Sequence, residues 1–249
     1  MKKIYAVGIG PGAPELLTPQ AQYILNNCTV IAGYKLYLDQ ISAFTQNKKL
    51  IPGAMRQEVE RCRAALDATL TGETVAVISS GDAGIYGMAG LLLELCEEDA
   101  YQDIEVEVIP GISAAISCAA LAGAPLMNDF AVISLSDLMT PKATIKQRLT
   151  ALAAADIPVA LYNPSSSKRH DLLEFAVETF RCSGGALPGV IVRDAYRPQQ
   201  MIKTFTLDEF PFELVQMTTL VIIGNSQTVR RGDKLYCRRG YKEKYGVGQ

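Results

Sequence analysis

The sequence contains few of the residues that most often bind metals. It has one histidine, His170, and six cysteines, no two of which lie close together along the chain. Zinc knuckles, CxxC redox pairs and ferredoxin-type clusters need closely spaced ligands, so this spacing argues against all three. We therefore expect scattered thiols in a reducing compartment, a surface histidine and no metal site.

Long apolar runs and a strong net charge are also missing. No apolar run reaches the roughly 18–20 residues that cross a bilayer. The N-terminal residues Met1–Tyr5 lack the apolar stretch and cleavage site of a signal peptide. The formal net charge is −2, which gives no general attraction to nucleic acid or to an acidic membrane. We expect a cytoplasmic protein that binds neither of them.

The first half of the chain alternates short β-branched runs with longer amphipathic stretches. The runs predict buried strands at Ile4–Val7, Val30–Ile31, Val75–Ile78 and Val106–Ile109. The stretches predict helices at Pro19–Asn26, Glu58–Leu70, Ala83–Cys96 and Ala114–Gly123. This alternation is typical of an α/β fold with a mainly parallel sheet.

The second half has a different rhythm, because late strands follow one another without a helix between them. Strands are predicted at Ala131–Leu135, Val159–Tyr162, Val190–Val192, Met201–Thr206 and Thr219–Ile223. Helices are predicted at Thr144–Ala154 and Asp171–Arg181. We therefore predict two α/β domains, residues 1–123 with a parallel-rich sheet and 124–249 with a mixed sheet, and a loose tail after Gly232.

A glycine-rich segment, Val7–Gly12, follows the first predicted strand directly. Its glycines let the backbone approach a ligand closely. The segment is similar to a dinucleotide-binding fingerprint, but Ala13 stands where the third glycine belongs, and Asp39 lies beyond the usual distance of about 20 residues for a ribose-binding acid. A nicotinamide-dependent oxidoreductase is therefore an alternative that this motif supports only weakly.

Three further loops follow predicted strands, at Ser79–Met88, Ile109–Ala115 and Ala160–Arg169. Asp82 could accept hydrogen bonds from a ligand, or it could cap the next helix. Ser113 leaves the same two alternatives open. In an open α/β sheet, ligands lie beyond the carboxyl ends of the strands, so these loops predict a shared cleft.

Together these motifs resemble the tetrapyrrole methylase family. The family's GIGPG segment corresponds to Gly8–Gly12, and its leucine–threonine helix start to Glu15–Thr18. Its Gly-Asp-x-x-x-Tyr-Gly loop corresponds to Gly81–Gly87, and its Pro-Gly-x-Ser/Thr-Ala segment to Pro110–Ala114. Four ordered motifs at fitting separations extend the resemblance over nearly the whole chain.

Within the family, the chain is most similar to the precorrin-3B C-17 methyltransferases and to their counterparts that act on cobalt-factor III or cobalt-precorrin-3. Ala83 replaces the proline that other methylases of the pathway carry after Gly-Asp. The resemblance implies C-17 methylation coupled to ring contraction in cobalamin biosynthesis. A precorrin-4 C-11 methyltransferase and a non-catalytic tetrapyrrole carrier are the alternatives. The chain departs from the subfamily at Asn128, Lys142 and Ser165, where His, Trp and Arg are expected.

The resemblance also implies a cofactor, S-adenosylmethionine, which becomes S-adenosylhomocysteine and lies folded between the two domains beside a trough for the tetrapyrrole. It implies a homodimer, and we expect no iron–sulfur cluster of the kind that some relatives carry. Matched by motif, the cofactor contacts are Pro11, Ser80, Gly81, Asp82, Ile85, Tyr86, Ser113, Ala114, Tyr162, Asn163, Ala195 and Thr218.

Two further sets of residues complete the predicted site. The sulfonium makes the methyl carbon electrophilic, so we expect alignment rather than a nucleophilic side chain to carry the transfer. Proton shifts during ring contraction need acids or bases, for which the candidates are Asp129, Asp137 and Tyr86. The substrate carries several carboxylates, for which the candidate partners are Lys35, Arg56, Lys168, Arg169, Arg193 and Arg197.

Overall fold

A computed structural model describes residues 2–54, 56–164 and 171–246. The chain divides into two compact units, Met1–Ala114 and Ala115–Gln249. The domain boundary between residues 123 and 124 stays a prediction. Within the described residues, we find no helix with the length and apolar character that crossing a membrane requires.

The first unit is built on a five-stranded parallel sheet with the strand order β3-β2-β4-β1-β5. Its strands are β1 (Lys2–Gly8), β2 (Val30–Tyr34), β3 (Lys49–Gly53), β4 (Val75–Ser79) and β5 (Ile104–Ile109). Its helices are α1 (Pro19–Asn27), α2 (Lys35–Gln40), α3 (Glu58–Leu70) and α4 (Ala89–Leu95), with short 3-10 helices at Pro14–Leu16 and Ser42–Phe44.

Helices cover both faces of this sheet, which explains why its central strand β4 is buried at every position. Along β4, Val77 packs in the cluster that contains Leu66 of α3, and Ile78 packs in the cluster that contains Leu25 of α1. Neighbouring residues of a strand point to opposite faces, so a strand buried on both sides is a nearly continuous apolar run, here Val75–Ile78. Since all five strands are parallel, their carboxyl ends and the loops that follow them lie along one edge.

The second unit contains a mixed sheet with the order β10-β9-β11-β8-β7 and a small sheet with the order β12-β13-β6. The strands are β6 (Gly123–Ala124), β7 (Ala131–Ser134), β8 (Val159–Tyr162), β9 (Pro188–Arg193), β10 (Met201–Thr206), β11 (Thr219–Ile223), β12 (Thr228–Arg231) and β13 (Lys234–Cys237). The helices are α5 (Ala114–Ala122), α6 (Lys142–Ala154), α7 (Asp171–Gly184) and α8 (Tyr241–Tyr245), with 3-10 helices at Leu207–Glu209 and Phe212–Leu214. The predicted fold class, with a parallel-rich first sheet and a mixed second sheet, is confirmed.

Two local predictions are wrong. The helix expected from Ala83 begins only at Ala89, because residues 83–88 form a turn followed by bends. The tail after Gly232 is not loose over β13, where Leu235 and Cys237 are fully buried. Strand β13 pairs with both β12 and β6, and its alternate residues face inward, so an apolar residue at every second position holds it in place.

Candidate active site

In the first unit, the loops after β1, β4 and β5 meet backbone to backbone. Gly10 and Gly81 exchange two hydrogen bonds, with N···O distances of 3.0 and 2.8 Å. A Cβ atom on Gly8 would lie 2.6 Å from the nitrogen of Gly111 and 2.8 Å from the oxygen of Gly81. A real Cβ atom does not approach backbone atoms so closely, so the contact between the three loops requires glycine at position 8.

Asp82 joins two of these loops through its carboxylate. Its Oδ1 accepts a hydrogen bond from the N–H of Gly84 at 2.8 Å, and its Oδ2 accepts one from the N–H of Gly111 at 3.0 Å. Helix α4 begins at Ala89, follows Met88 as its N-cap residue and has no side-chain cap. The alternative in which Asp82 caps the next helix is therefore wrong, because its carboxylate fixes the loop after β4 to the loop after β5.

The loop after β4 presents apolar side chains outward. Ile85 and Tyr86 are exposed, Tyr86 by 54% of its surface. Tyr86 has a φ of 53°, a left-handed conformation that is uncommon outside glycine and that clusters at functional sites. At the other end of the loop, the N–H of Met88 donates to Oγ of Ser79 at 3.0 Å. The structure therefore holds Ile85 and Tyr86 at the carboxyl edge, where a flat or apolar ligand group could contact them.

The predicted cofactor residues of the first unit lie together at this edge. A Cβ on Gly81 would lie 3.5 Å from the nitrogen of Ala114 and 3.6 Å from Cα of Ser113. Ser113 is buried, and Pro11 is buried in the loop after β1. The structure thus brings together Pro11, Ser80, Gly81, Asp82, Ile85, Tyr86, Ser113 and Ala114 at the ends of β1, β4 and β5.

The second unit has a comparable edge, at the carboxyl ends of β7, β8 and β9. Nδ2 of Asn163 donates to Oγ of Ser134 at 3.0 Å, which ties the ends of β8 and β7. The N–H of Asp194 donates to the carbonyl of Thr218 at 3.3 Å, just before β11 begins. The predicted residues Tyr162, Asn163, Ala195 and Thr218 therefore lie along one edge of this sheet.

Three residues at this second edge also have left-handed backbones: Asn163, Asp194 and Tyr196, with φ values of 51°, 48° and 58°. Such conformations cost about 1–3 kcal/mol each and persist where the surrounding structure enforces them. The sequence motifs did not point to Asp194 or Tyr196. The polar run after β9 was the available signal, since aspartate tolerates the left-handed region better than most residues.

Tyr162 has a second role inside this unit. Its hydroxyl oxygen accepts a hydrogen bond from the N–H of Ala115 at 2.8 Å. Ala115 lies in the first turn of α5, where backbone N–H groups have no partner within the helix. Tyr162 therefore supplies an acceptor to the start of α5.

The candidate acids and bases have different surroundings. Asp129 is exposed after the short strand β6. Asp137 lies 3.7 Å from Nζ of Lys142, which also contacts Asp171 at 2.8 Å. The structure thus places an ammonium group, absent from the subfamily pattern at position 142, beside one of the predicted bases.

The candidate substrate cations divide between the two units. Lys35 and Arg56 are exposed and follow β2 and β3 at the edge of the first sheet. Nε of Arg193 lies 3.9 Å from Oδ2 of Asp194, and Nη1 of Arg197 lies 4.0 Å from its Oδ1. The carboxylate of Asp194 therefore lies beside two arginines at the edge of the second sheet. Lys168 and Arg169 lie outside the described residues.

The cysteines are free thiols in the structure. Burial raises the pKa of Cys62 to about 11 and that of Cys118 to about 12. Among the described residues, we find no group of three or more His, Cys, Asp or Glu side chains that could hold a metal ion. Glycine-rich loops beyond the carboxyl ends of its strands place the protein among the open-sheet α/β proteins that bind small ligands.

Comparison with known proteins narrows this class. The profile of the Tetrapyrrole (Corrin/Porphyrin) Methylases matches residues 3–211. The chain is 44% identical over 236 residues to the probable cobalt-factor III C(17)-methyltransferase of Salmonella typhimurium, and the match covers 94% of this chain and 98% of that protein. The chain belongs to the tetrapyrrole methylase family and is therefore a methyltransferase, as the four sequence motifs predicted.

Two further relatives support this assignment. The cobalt-factor III methyltransferase of Priestia megaterium is 40% identical over 251 residues, which is 99% of this chain and 46% of that longer protein. The crystal structure of the methyltransferase CobJ matches with a TM-score of 0.91 at 33% identity, over 96% of this chain and 100% of that one. A uroporphyrin-III C-methyltransferase from Thermus thermophilus, complexed with S-adenosyl homocysteine, has a TM-score of 0.68 at 22% identity and shares the fold.

Proposed function

We propose that the chain transfers a methyl group from S-adenosylmethionine to C-17 of a cobalt-factor III or precorrin-3B tetrapyrrole, in a step coupled to ring contraction in cobalamin biosynthesis. The observation that carries this proposal is the 44% identity to a relative named as a C(17)-methyltransferase, over 98% of that relative's length. The match to the crystal structure of the methyltransferase CobJ, with a TM-score of 0.91, agrees with a methyl-transfer reaction.

The charges in the loops of the first unit fit a cationic cofactor. The segments Ser80–Met88 and Pro110–Ala114 contain no lysine or arginine, and their one charged side chain is Asp82. A carboxylate near the ligand favours a positive sulfonium and disfavours the pyrophosphate of a dinucleotide. Together with Ala13 and the family assignment, this argues against the nicotinamide-dependent oxidoreductase.

S-adenosylmethionine supplies an electrophilic methyl carbon, so the residues of the chain have to bind, align and exclude water. Orientation of this kind contributes on the order of 7–11 kcal/mol in well-aligned reactions. In this proposal, Asp82 fixes the loops that hold the cofactor, while Ile85 and Tyr86 present apolar surface to it. The residues of the second edge, Tyr162, Asn163, Ala195 and Thr218, are proposed as further cofactor contacts.

The residues proposed for substrate binding and for proton transfer are chosen by the charge or acidity of their side chains and by their place in the loops. We assign the substrate carboxylates to Lys35, Arg56, Lys168, Arg169, Arg193 and Arg197. Asp129, Asp137 and Tyr86 stay the candidates for proton transfer during ring contraction. A homodimer follows from the resemblance and a cytoplasmic location from the composition and the N-terminal sequence, and both stay predictions. Light scattering on the purified protein tests the dimer.

The proposed function is tested by incubating the protein with methyl-labelled S-adenosylmethionine and either cobalt-factor III or precorrin-3B. We expect label in the pigment, with NMR placing the new methyl group at C-17. A methyl group at C-11 would instead support the alternative ring position, although the solved cobalt precorrin-4 methyltransferase CbiF is only 22% identical to this chain. No transfer to either substrate, by folded protein that binds the cofactor, would refute the proposal.

A further inference from the structure

Arg61, in the first turn of α3, has a buried guanidinium with almost no partners. The residue is 6% exposed. Within the described part of the chain, its Nε and Nη1 atoms have no hydrogen-bond partner. Its Nη2 atom donates to Sδ of Met88 at 3.7 Å, and a thioether sulfur is a weak acceptor. A guanidinium has five N–H donors, so most of the hydrogen-bonding capacity of Arg61 is unused.

A second arginine on the same helix shows the ordinary arrangement. Arg63 is about half exposed and forms a paired contact with Glu98, at 2.6 Å from Nη1 and 2.7 Å from Nη2. Taking a charge out of water without a counter-ion is strongly unfavourable, and buried unsatisfied groups in native proteins call for an explanation. Arg61 has neither the exposure nor the carboxylate partner of Arg63, so its burial has no evident benefit for the fold.

The position of Arg61 suggests what its guanidinium is for. A Cβ atom on Gly53 would lie 3.1 Å from Cδ and 3.3 Å from Cζ of Arg61, so glycine at this position leaves room for the guanidinium. Gly53 is the last residue of β3, and Met88 ends the loop that follows β4. Arg61 therefore lies at the carboxyl edge of the first sheet, beside the loop that contains Asp82, Ile85 and Tyr86.

We infer that Arg61 binds a carboxylate side chain of the tetrapyrrole substrate. The inference rests on the proposed function, which supplies a ligand that carries several carboxylates. Carboxylate oxygens form strong charge-assisted hydrogen bonds with guanidinium N–H groups. Met88 covers Nη2 with a flexible and weakly bonded side chain, so a carboxylate reaches Arg61 by displacing the thioether. The bound substrate then supplies the counter-ion that none of the described residues provides.

The test compares Arg61→Met, which removes the charge at similar length, with Arg61→Lys, which keeps the charge, and with the matched control Arg63→Met. Each full-length protein is titrated by fluorescence with uroporphyrin III, a tetrapyrrole with carboxylate side chains, and by calorimetry with S-adenosylhomocysteine. Melting is recorded without ligand, and KM and kcat are measured with cobalt-factor III.

We expect Arg61→Met to weaken uroporphyrin binding and to raise KM for the tetrapyrrole by about tenfold or more, the loss typical of a hydrogen bond to a charged group. Affinity for S-adenosylhomocysteine is expected to stay within about twofold, with melting at or above that of the wild type, because the variant removes an unpaired buried charge. The tetrapyrrole affinity of Arg61→Lys is expected to lie between those of the wild type and Arg61→Met, and Arg63→Met is expected to bind like the wild type.

Two outcomes would overturn the inference. One is wild-type tetrapyrrole affinity in Arg61→Met. The other is a joint loss of melting temperature and of affinity for both ligands, which would mark Arg61 as structural. If Arg61→Met does not fold, the neutral variant Arg61→Gln decides, since wild-type tetrapyrrole affinity there would contradict the role. A wild-type protein that transfers no methyl group would refute the proposed function, while the uroporphyrin titration would still decide the role of Arg61.

Discussion

The Oδ2 atom of Asp82 accepts a hydrogen bond from the backbone N–H of Gly111 at 3.0 Å and so joins the loops that follow β4 and β5. Its other oxygen accepts the N–H of Gly84 at 2.8 Å. A carboxylate with two backbone donors forms strong charge-assisted bonds. Asp82 is therefore first a residue that positions the candidate site, and its charge acts on a bound cation from that fixed place.

Replacement of Asp82 by alanine is expected to weaken cofactor binding. Loss of the carboxylate releases the loops after β4 and β5 from each other, and we expect this to weaken cofactor binding by about 1–3 kcal/mol, which is roughly a fivefold to 150-fold rise in Kd. Calorimetry with S-adenosylhomocysteine measures the change. Asp103→Ala is the control, because Asp103 is exposed just before β5, at the opposite edge of the sheet. An unchanged Kd in Asp82→Ala would show that Asp82 does not contribute to cofactor binding.

The substitution Gly111→Ala is expected to destabilise the first unit. A Cβ there would collide with the carbonyl of Gly81 and lie 2.7 Å from the carbonyl carbon of Gly8. Overpacking of this kind costs about 1–3 kcal/mol. Gly90→Ala is the matched control, since nothing lies within 4 Å of its added Cβ, and alanine in a helix is favoured by about 0.5–1 kcal/mol. Urea unfolding compares the two, and equal stabilities would contradict the loop contact.

The elements predicted best from the sequence were those with a clear pattern of apolar residues along one continuous helix or strand. Glu58–Leu70, Val159–Tyr162 and Thr219–Ile223 have the predicted bounds, because apolar periodicity over a continuous element is a strong signal. Strand β3 was missed, since its sequence KLIPG is short, half exposed and contains proline. Strand β13 was missed because a short strand next to glycine and basic residues has the composition of a loop.

The candidate site was predictable as a set of loops but not in its internal contacts. The motifs placed Gly81, Asp82 and Ser113 at strand ends, and the structure brings these residues together. The partners of Asp82 depend on the packing of three loops, which no local pattern encodes. Arg61 and Arg63 are residues of the same type, two positions apart in one helix. Only the three-dimensional packing shows that Arg61 is buried and Arg63 is about half exposed.

Replacement of Tyr162 by phenylalanine is expected to lower the stability of the second unit. The hydroxyl accepts the N–H of Ala115 at 2.8 Å, and its loss leaves that helix terminus without this acceptor. The expected cost is about 1–2 kcal/mol in the free energy of unfolding. Tyr23→Phe is the control, since Tyr23 is exposed on α1. If both variants unfold at the same denaturant concentration, the hydroxyl of Tyr162 contributes nothing to α5.

Two buried thiols predict how stability depends on alkaline pH. Burial raises the pKa of Cys62 to about 11 and that of Cys118 to about 12, from an ordinary value of 9.0. The folded state therefore favours the protonated thiols, and their contribution to stability is complete below pH 9. Above pH 9 the thiols of the unfolded chain lose protons first, so stability falls by up to about 1.4 kcal/mol per pH unit for each thiol, until the folded pKa is reached.

Lysines and tyrosines titrate in the same range, so the measurement is the difference between two proteins. Urea unfolding at pH 8, 9 and 10 compares the wild type with Cys62→Ala/Cys118→Ala. The double variant is expected to be less stable at pH 8, because each substitution removes a packed sulfur. Its stability is expected to fall less steeply above pH 9, because the two groups that favoured the folded state by staying protonated are gone. Parallel curves across the three pH values would show that these thiols titrate alike in the folded and unfolded chains, which would contradict their burial.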